Sequence, residues 1–269
     1  MIETKERIQL PMMALRGLTV FPNMAISFPV GRQKSLDALE VADEGDKRIF
    51  LVAQRDPEDA SPKQMGLYEF GTVATIKQIL KLPGNMTHVI VEGVIRGRLE
   101  TVQHKRKCDY AEITTIAQDF PELPEVHTAA EMRIAQDLYE EYAKFVPNTT
   151  AVDLLPNVLA SGKPGKLADV IAAGLEISFD RKQRILEILN PYDRLQAVME
   201  IMRYEQQVLR VKREIEAKTK DAIDKNQREY FLREELKVIQ EELGDKDGIG
   251  ADAAEFRRRL EEKNPPEEV

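Results

Sequence analysis

Apolar positions change their rhythm once along this chain. In the first 118 residues they gather in short runs rich in Val, Ile, Thr and Phe, at 19–30, 48–55, 70–80, 87–102 and 110–118. Such runs, separated by turn residues, predict strands. Lys81, Leu82, Pro83, Gly84 and Asn85 lie between two of them, and the Pro-Gly pair predicts the tip of a hairpin joining 71–80 to 86–95. One helix is predicted inside this half, over 31–43, with Ser35 as a candidate cap and Leu36, Leu39 and Val41 on its apolar face. Several short strands with a single helix point to a small, strongly bent sheet or open barrel.

From residue 125 the spacing becomes three and four. Met132, Ala135, Leu138, Tyr139 and Tyr142 make one stripe over 125–146, predicting a helix that Pro147 ends. Further helices are predicted over 150–160, with Pro156 as a kink, over 167–175 and over 181–189. Residues 161–165 form a loop between them. Together they predict a compact helical bundle.

Beyond the bundle, no glycine or proline occurs between Tyr192 and Leu243, while Asn190-Pro191 precedes the run and Gly244 follows it. An Asn cap, a Pro at the first helical position and a Gly past the end predict one continuous helix, roughly 80 Å long at 1.5 Å per residue. Ile201, Tyr204, Val208, Val211 and Ile215 give it one heptad seam; Leu232, Leu236, Ile239 and Leu243 give a second. Between the seams, residues 216–229 are almost wholly polar. Five acid-to-base pairs at i, i+4 support this arm: Glu214–Lys218, Glu216–Lys220, Asp221–Lys225, Asp224–Arg228 and Glu229–Arg233. Each is worth about 0.2–0.5 kcal/mol. The arm is either an ordinary coiled coil or a lever linking two modules.

The fold class is therefore α+β: a β domain over 1–118, a helical bundle over 119–189, a long coiled-coil arm over 190–244, and a linker over 245–269.

Charge narrows the function classes. The net charge is −8, and the β half carries 16 Lys/Arg against 15 Asp/Glu, unlike a nucleic-acid binder, which is usually basic. One local basic cluster stands out: Arg96, Arg98, Lys105, Arg106 and Lys107. It offers a phosphate-contacting surface or, more simply, the exposed face of two strands near their connection. It contains no aromatic residue on which a base could stack. A single cysteine, Cys108, excludes an internal disulfide and fits a cytoplasmic setting. No apolar run approaches the roughly 20 residues that cross a bilayer, so no membrane partner is expected.

Catalytic chemistry is not visible. No G-x-x-x-x-G-K-[ST] phosphate loop occurs; Gly162-Lys163 and Gly165-Lys166 are followed by Pro164 and Leu167. Ser161 and Lys163 share a Pro/Gly loop with nothing around them to desolvate the lysine, so they do not read as a Ser–Lys dyad. His88, His104 and His127 have no ligand partners at metal-binding spacing. No catalytic, cofactor or metal site is expected in this segment.

The segments 10–40, 50–56 and 70–99 resemble the opening of Lon-type ATP-dependent proteases. So do LADVIAAGLEISFDRKQRILEILNPYDRL (167–195) and KNQREYFLREELKVIQEELGD (225–245). The resemblance runs in order from about residue 9 to 245. It implies a PUA-like β domain, a helical bundle and a long helix, followed in the family by an AAA+ ATPase module that uses ATP and Mg and by a Ser–Lys peptidase domain. Both modules would lie beyond this chain. It also implies a role in collecting unfolded or degron-bearing proteins, among them misfolded and short-lived regulatory proteins, for a homohexameric parent.

A collecting surface needs exposed apolar residues with polar rims. Apolar residues in predicted turns supply the candidates: Phe21, Pro22 and Met24 in one loop, and Leu80, Leu82 and Met86 around the hairpin tip. The alternative is that these are core residues near strand ends. Two rival functions remain at this level. One is a PUA-like nucleic-acid-binding module with a coiled-coil arm, with weak DNA binding in the parent. The other is a plain coiled-coil spacer, which leaves the β domain without purpose.

Overall fold

The structure is a computed structural model and describes residues 6–83, 86–116, 124–146, 150–242, 255–259 and 262. Two compact units are present, Met1–Leu209 and Arg210–Val269. The linker expected over 245–269 lies almost wholly outside the described residues.

Six strands make one mixed sheet: β1 (Arg7–Leu15), β2 (Ala25–Val30), β3 (Arg48–Ala53), β4 (Phe70–Leu82), β5 (Met86–His104) and β6 (Asp109–Thr115). Their order is β2-β5-β4-β3-β1-β6, and β6 pairs back onto β5. The expected bent sheet or open barrel is thus closed into a ring of β1, β3, β4, β5 and β6. Closure rests on the 19-residue length of β5. One edge of it pairs with β2 through Thr87–Glu92 and, further along, with β6 through Gly97–His104.

β1 is the strand that composition hid. Pro11 sits in its middle, and a proline normally argues against a paired strand because it donates no ladder bond. Here Arg7–Pro11 pair with β6 and Met12–Leu15 pair with β3. Pro11 stands where the strand changes partners.

β3 is buried along almost its whole length because both faces of the sheet are covered. Leu10, Met12, Phe50, Val52, Val73, Leu99 and Ile113 fill one face. Met13, Leu15, Ile49, Leu51, Val89 and Val91 pack on the other with α1 (Gln33–Glu44), through Ala38, Leu39 and Ala42. Ser35, expected as the cap of α1, lies buried inside it; the helix starts two residues earlier, behind Arg32.

The bundle comprises α2 (Glu125–Phe145), α3 (Thr150–Asp153), α4 (Leu155–Leu159), α5 (Pro164–Gly174), α6 (Phe179–Glu187) and the start of α7 (Pro191–Glu242). The predicted helix over 150–160 is two short helices, and Pro156 sits in the first turn of the second rather than kinking one. Tyr139, Tyr142, Leu167, Ile171, Ile185, Leu195, Val198 and Met202 form the core. Gly174 is required there. A Cβ on it would lie 2.0 Å from the Tyr139 hydroxyl.

α7 runs unbroken for 52 residues. The Asn190 side chain accepts a hydrogen bond from the Tyr192 amide at 2.9 Å, which is the expected cap. Ile201 and Leu209 pack against the bundle core. Every residue from Arg210 to Glu241 is exposed. Of the five expected ion pairs only Glu229–Arg233 closes, at 4.0 Å; among the described residues Lys212–Glu216 forms as well, at 3.8 Å. No helix among the described residues is long and apolar enough to cross a membrane.

Candidate polypeptide-docking surface

The loop before β2 does not present the surface expected of it. Phe21 is 0% exposed and packs in the core of the bundle, and Pro22 is buried beside it. The loop is clamped to β5: the Asn23 amide donates to Gly93 O at 2.8 Å and the Gly93 amide to Met24 O at 2.9 Å. Asn23 takes a left-handed φ of 60° to make that turn. A Cβ on Gly93 would meet Phe21 O at 2.2 Å, so the close approach depends on glycine. Phe21 and Pro22 therefore join the barrel to the bundle, a correction to their placement on a collecting loop. Met24 is half-buried against the same core.

The strands β4 and β5 form the predicted hairpin, while Gly84 and Asn85 of its tip lie outside the described residues. Leu82 pairs with Met86, though the side chains of both lie outside the described residues. Leu80 is 36% exposed on β4. A further apolar side chain escaped sequence reasoning: Met65, 92% exposed on a single 3-10 turn, Gln64–Gly66. The Gln64 side chain fixes this turn to β5, donating to Glu100 O at 2.7 Å and accepting from the Val102 amide at 3.3 Å. A lone Met in a polar loop between Pro62 and Leu67 was its sequence signal.

The basic cluster at 96–107 is dispersed. Arg96, expected on an exposed face, is buried. It donates to both carboxylate oxygens of Asp169, Nη1 to Oδ2 at 2.8 Å and Nη2 to Oδ1 at 2.5 Å. Arg98 pairs with Glu69 at 2.6 Å and Lys107 with Glu40 at 2.9 Å. Lys105 lies over the Tyr110 ring, 4.0 Å from its centroid.

Arg194 of α7 joins the buried pair. Its Nε is 3.0 Å from Asp169 Oδ1, an ion pair whose angle falls outside hydrogen-bond geometry. Two buried guanidinium groups thus share one carboxylate. The excess positive charge meets the carbonyl end of α6, where partial negative charge accumulates. Arg96 Nε donates to Leu186 O at 2.9 Å, and Arg194 Nη1 donates to Ile188 O at 2.5 Å and Leu189 O at 3.1 Å. Burial, and next the Arg96 charge, pull the Arg194 pKa down to about 10. Gln183 of α6 adds a neutral link, donating from Nε2 to Phe70 O on β4 at 3.0 Å.

Two grooves open on the barrel. One, of about 840 Å³, lies between α1 and the β4–β5 hairpin. The other, of about 450 Å³, lies between β1 and the start of α1. The Ser161 hydroxyl donates to Asn157 O at 2.7 Å and serves the helix end. Among the described residues no group of three His, Cys, Asp or Glu is arranged to hold a metal.

The model of the ATP-dependent protease La (LON) substrate-binding domain matches residues 9–204. The chain belongs to that family. Relatives named Lon protease include those of Clostridium acetobutylicum, 39% identical over 95% of this chain, and Brevibacillus choshinensis, 38% identical over 99%. The chain spans about a third of the length of these curated relatives. The fold is shared with the N-terminal domain of the Mycobacterium avium complex Lon protease (TM-score 0.59, 17% identity, covering 72% of this chain and 98% of that one). It is shared too with the Lon N-terminal domain protein of Xanthomonas campestris (TM-score 0.52, 15% identity, 72% and 98%). The Lon substrate-binding match ends at Tyr204, within the compact unit that closes at Leu209. It covers the bundle and nearly all of the barrel but not the wholly exposed stretch of α7 from Arg210 to Glu241.

Proposed function

We propose that this chain collects unfolded or degron-bearing polypeptide for an ATP-dependent Lon-type protease of the cytoplasm. ATP, Mg and the peptide-cleaving groups would be supplied by other modules of the parent, and self-association would be organised through α7. The match to a substrate-binding domain over residues 9–204 carries the reading. Its physical support is apolar side chains held outside the core on well-anchored elements: Met65 on its pinned turn and Leu80 on the hairpin. The flexible thioether of Met65 adapts to unlike partners. The working division is a barrel over 1–118, a bundle over 119–189 and an arm over 190–244.

The arm supports the organising role. Tyr204, Val208, Val211 and Ile215, and then Leu232, Leu236 and Ile239, are all about half exposed or more, and a lone helix has no means of hiding them. The nucleic-acid alternative has little left, because Arg96 is buried and Arg98 and Lys107 are paired with carboxylates.

Fluorescence anisotropy with labelled, reduced and carboxymethylated α-lactalbumin tests the reading. Micromolar or weaker binding is expected from so little apolar area. Replacing Met65 and Leu80 together by Ser should weaken it severalfold with the unfolding midpoint unchanged. Unchanged binding would remove these residues from the surface; no binding by the unaltered chain would defeat the collecting role.

A further inference from the structure

β4 is longer than its neighbour. β3 pairs with it only from Arg48↔Thr75 to Leu51↔Thr72. The Ile76 amide makes one more bond, to Lys47 O at 2.8 Å. There the preceding chain turns away: Lys47 has a φ of 62°, and α1 ends at Glu44. Lys77 is the unpaired residue of a bulge, and from Gln78 to Lys81 the inner edge of β4 pairs with β5, but no described residue pairs with the outer edge over Lys77–Lys81. That stretch is an open strand edge, which is a template for a further strand.

The open edge borders the larger groove. Ile79 and Lys81 line it from β4, and the half-buried Leu36 lines it from α1. Leu80, between them in sequence, belongs to the opposite face by strand alternation. The α1 wall carries Asp37, Glu40, Asp43 and Glu44. Glu40 is engaged by Lys107 and Asp43 by Lys47, and Lys81 faces the same wall from β4, which leaves the four carboxylates one ahead of the three lysines. Asp43 and Glu44 occupy the last turn of α1, which holds no basic residue. Negative charge there opposes the helix dipole, so both helix end and side chains invite a cation.

We infer that an extended polypeptide segment bearing Lys or Arg adds as a strand to β4 along Lys77–Lys81, with its basic side chains turned to the α1 wall. Backbone pairing gives sequence-tolerant affinity, and alternate side chains reaching the groove give preference. The inference rests on the collecting role proposed above and specifies the chemistry of what is collected.

The test uses the full chain and a short unstructured peptide of alternating valine and lysine. Three companions are the same peptide N-methylated along its central residues, a valine–glutamate version, and carboxymethylated α-lactalbumin. Hydrogen exchange should show amides within 77–81 protected at least tenfold by the valine–lysine peptide. The N-methylated and glutamate peptides should bind at least tenfold more weakly. Asp43→Lys with Glu44→Lys, which suits the helix end, should invert the preference between the lysine and glutamate peptides. Binding without protection of 77–81, or equal binding of the N-methylated peptide, overturns the inference. The collecting role survives that outcome if carboxymethylated α-lactalbumin still binds, and neither survives if nothing binds. Protection present without peptide and lost on dilution would assign the edge to a dimer and also overturn it.

Discussion

Arg96 of β5 and Asp169 of α5 meet in two parallel charge-assisted contacts, 2.8 and 2.5 Å long, although 73 positions separate them in sequence. Removing Asp169 leaves two buried guanidinium groups without a counter-ion; removing Arg96 leaves Asp169 still matched by Arg194. Asp169→Asn should therefore cost about 3–5 kcal/mol, and Arg96→Met less, because one-sided removal of a buried charge is what is expensive. Urea unfolding of both variants measures the order. A larger loss for Arg96→Met would show that hydrogen bonding to Leu186 O, not charge balance, dominates.

The Tyr139 hydroxyl is buried with no hydrogen-bond partner among the described residues, and burial raises its pKa. Tyr139→Phe removes an unsatisfied group and should stabilise by about 1 kcal/mol. Gly174→Ala forces a Cβ against that hydroxyl and should destabilise by about 1–3 kcal/mol. The double variant should recover part of the loss, since the clashing atom is gone. Strict additivity in thermal or urea unfolding would rule out the contact as the cause.

Phe21 and Met65 invert the roles that exposure in a loop suggests. Phe21→Ala should cost about 3–5 kcal/mol as a core truncation. Met65→Ser should stay within about 0.5 kcal/mol as a surface change. A mild effect at Phe21 in chemical denaturation would contradict its place in the bundle core.

Ala222 is exposed in the middle of α7. Ala222→Pro should cost about 3 kcal/mol of local helix stability. Far-ultraviolet circular dichroism should show helix loss, while the main urea transition of the unit ending at Leu209 keeps its midpoint. A shifted midpoint would tie the exposed part of α7 to the stability of that unit.

What the sequence made legible were features that neighbours along the chain decide. The cap at Asn190, the glycine-free run of α7, the stripe of Tyr139 and Tyr142, and the Pro-Gly hairpin are of this kind. β1 escaped because Pro11 looks like a breaker until its change of partner is known. Phe21 was misplaced because Pro22-Asn23 marks a turn in the sequence and its burying surface belongs to helices far downstream. Arg96 was read with its basic neighbours because its real partners, Asp169 and the end of α6, are remote. Met65 had only a faint signal, since an exposed methionine and a buried one look alike in sequence.

The distance in sequence between Arg96 and Asp169 also sets an order of events during synthesis. The ring of strands is complete once residue 115 has emerged, but the counter-charge for Arg96 comes 73 residues after it. From Thr115 to Asp169, at 5–20 residues per second, the wait is roughly 3–11 s. For that interval the finished barrel holds an unneutralised guanidinium on the face that the bundle will cover. A ribosome-bound chain stalled before Asp169 should therefore be cut by protease more readily than one stalled beyond Arg194. The nascent barrel is sealed only when the helices arrive.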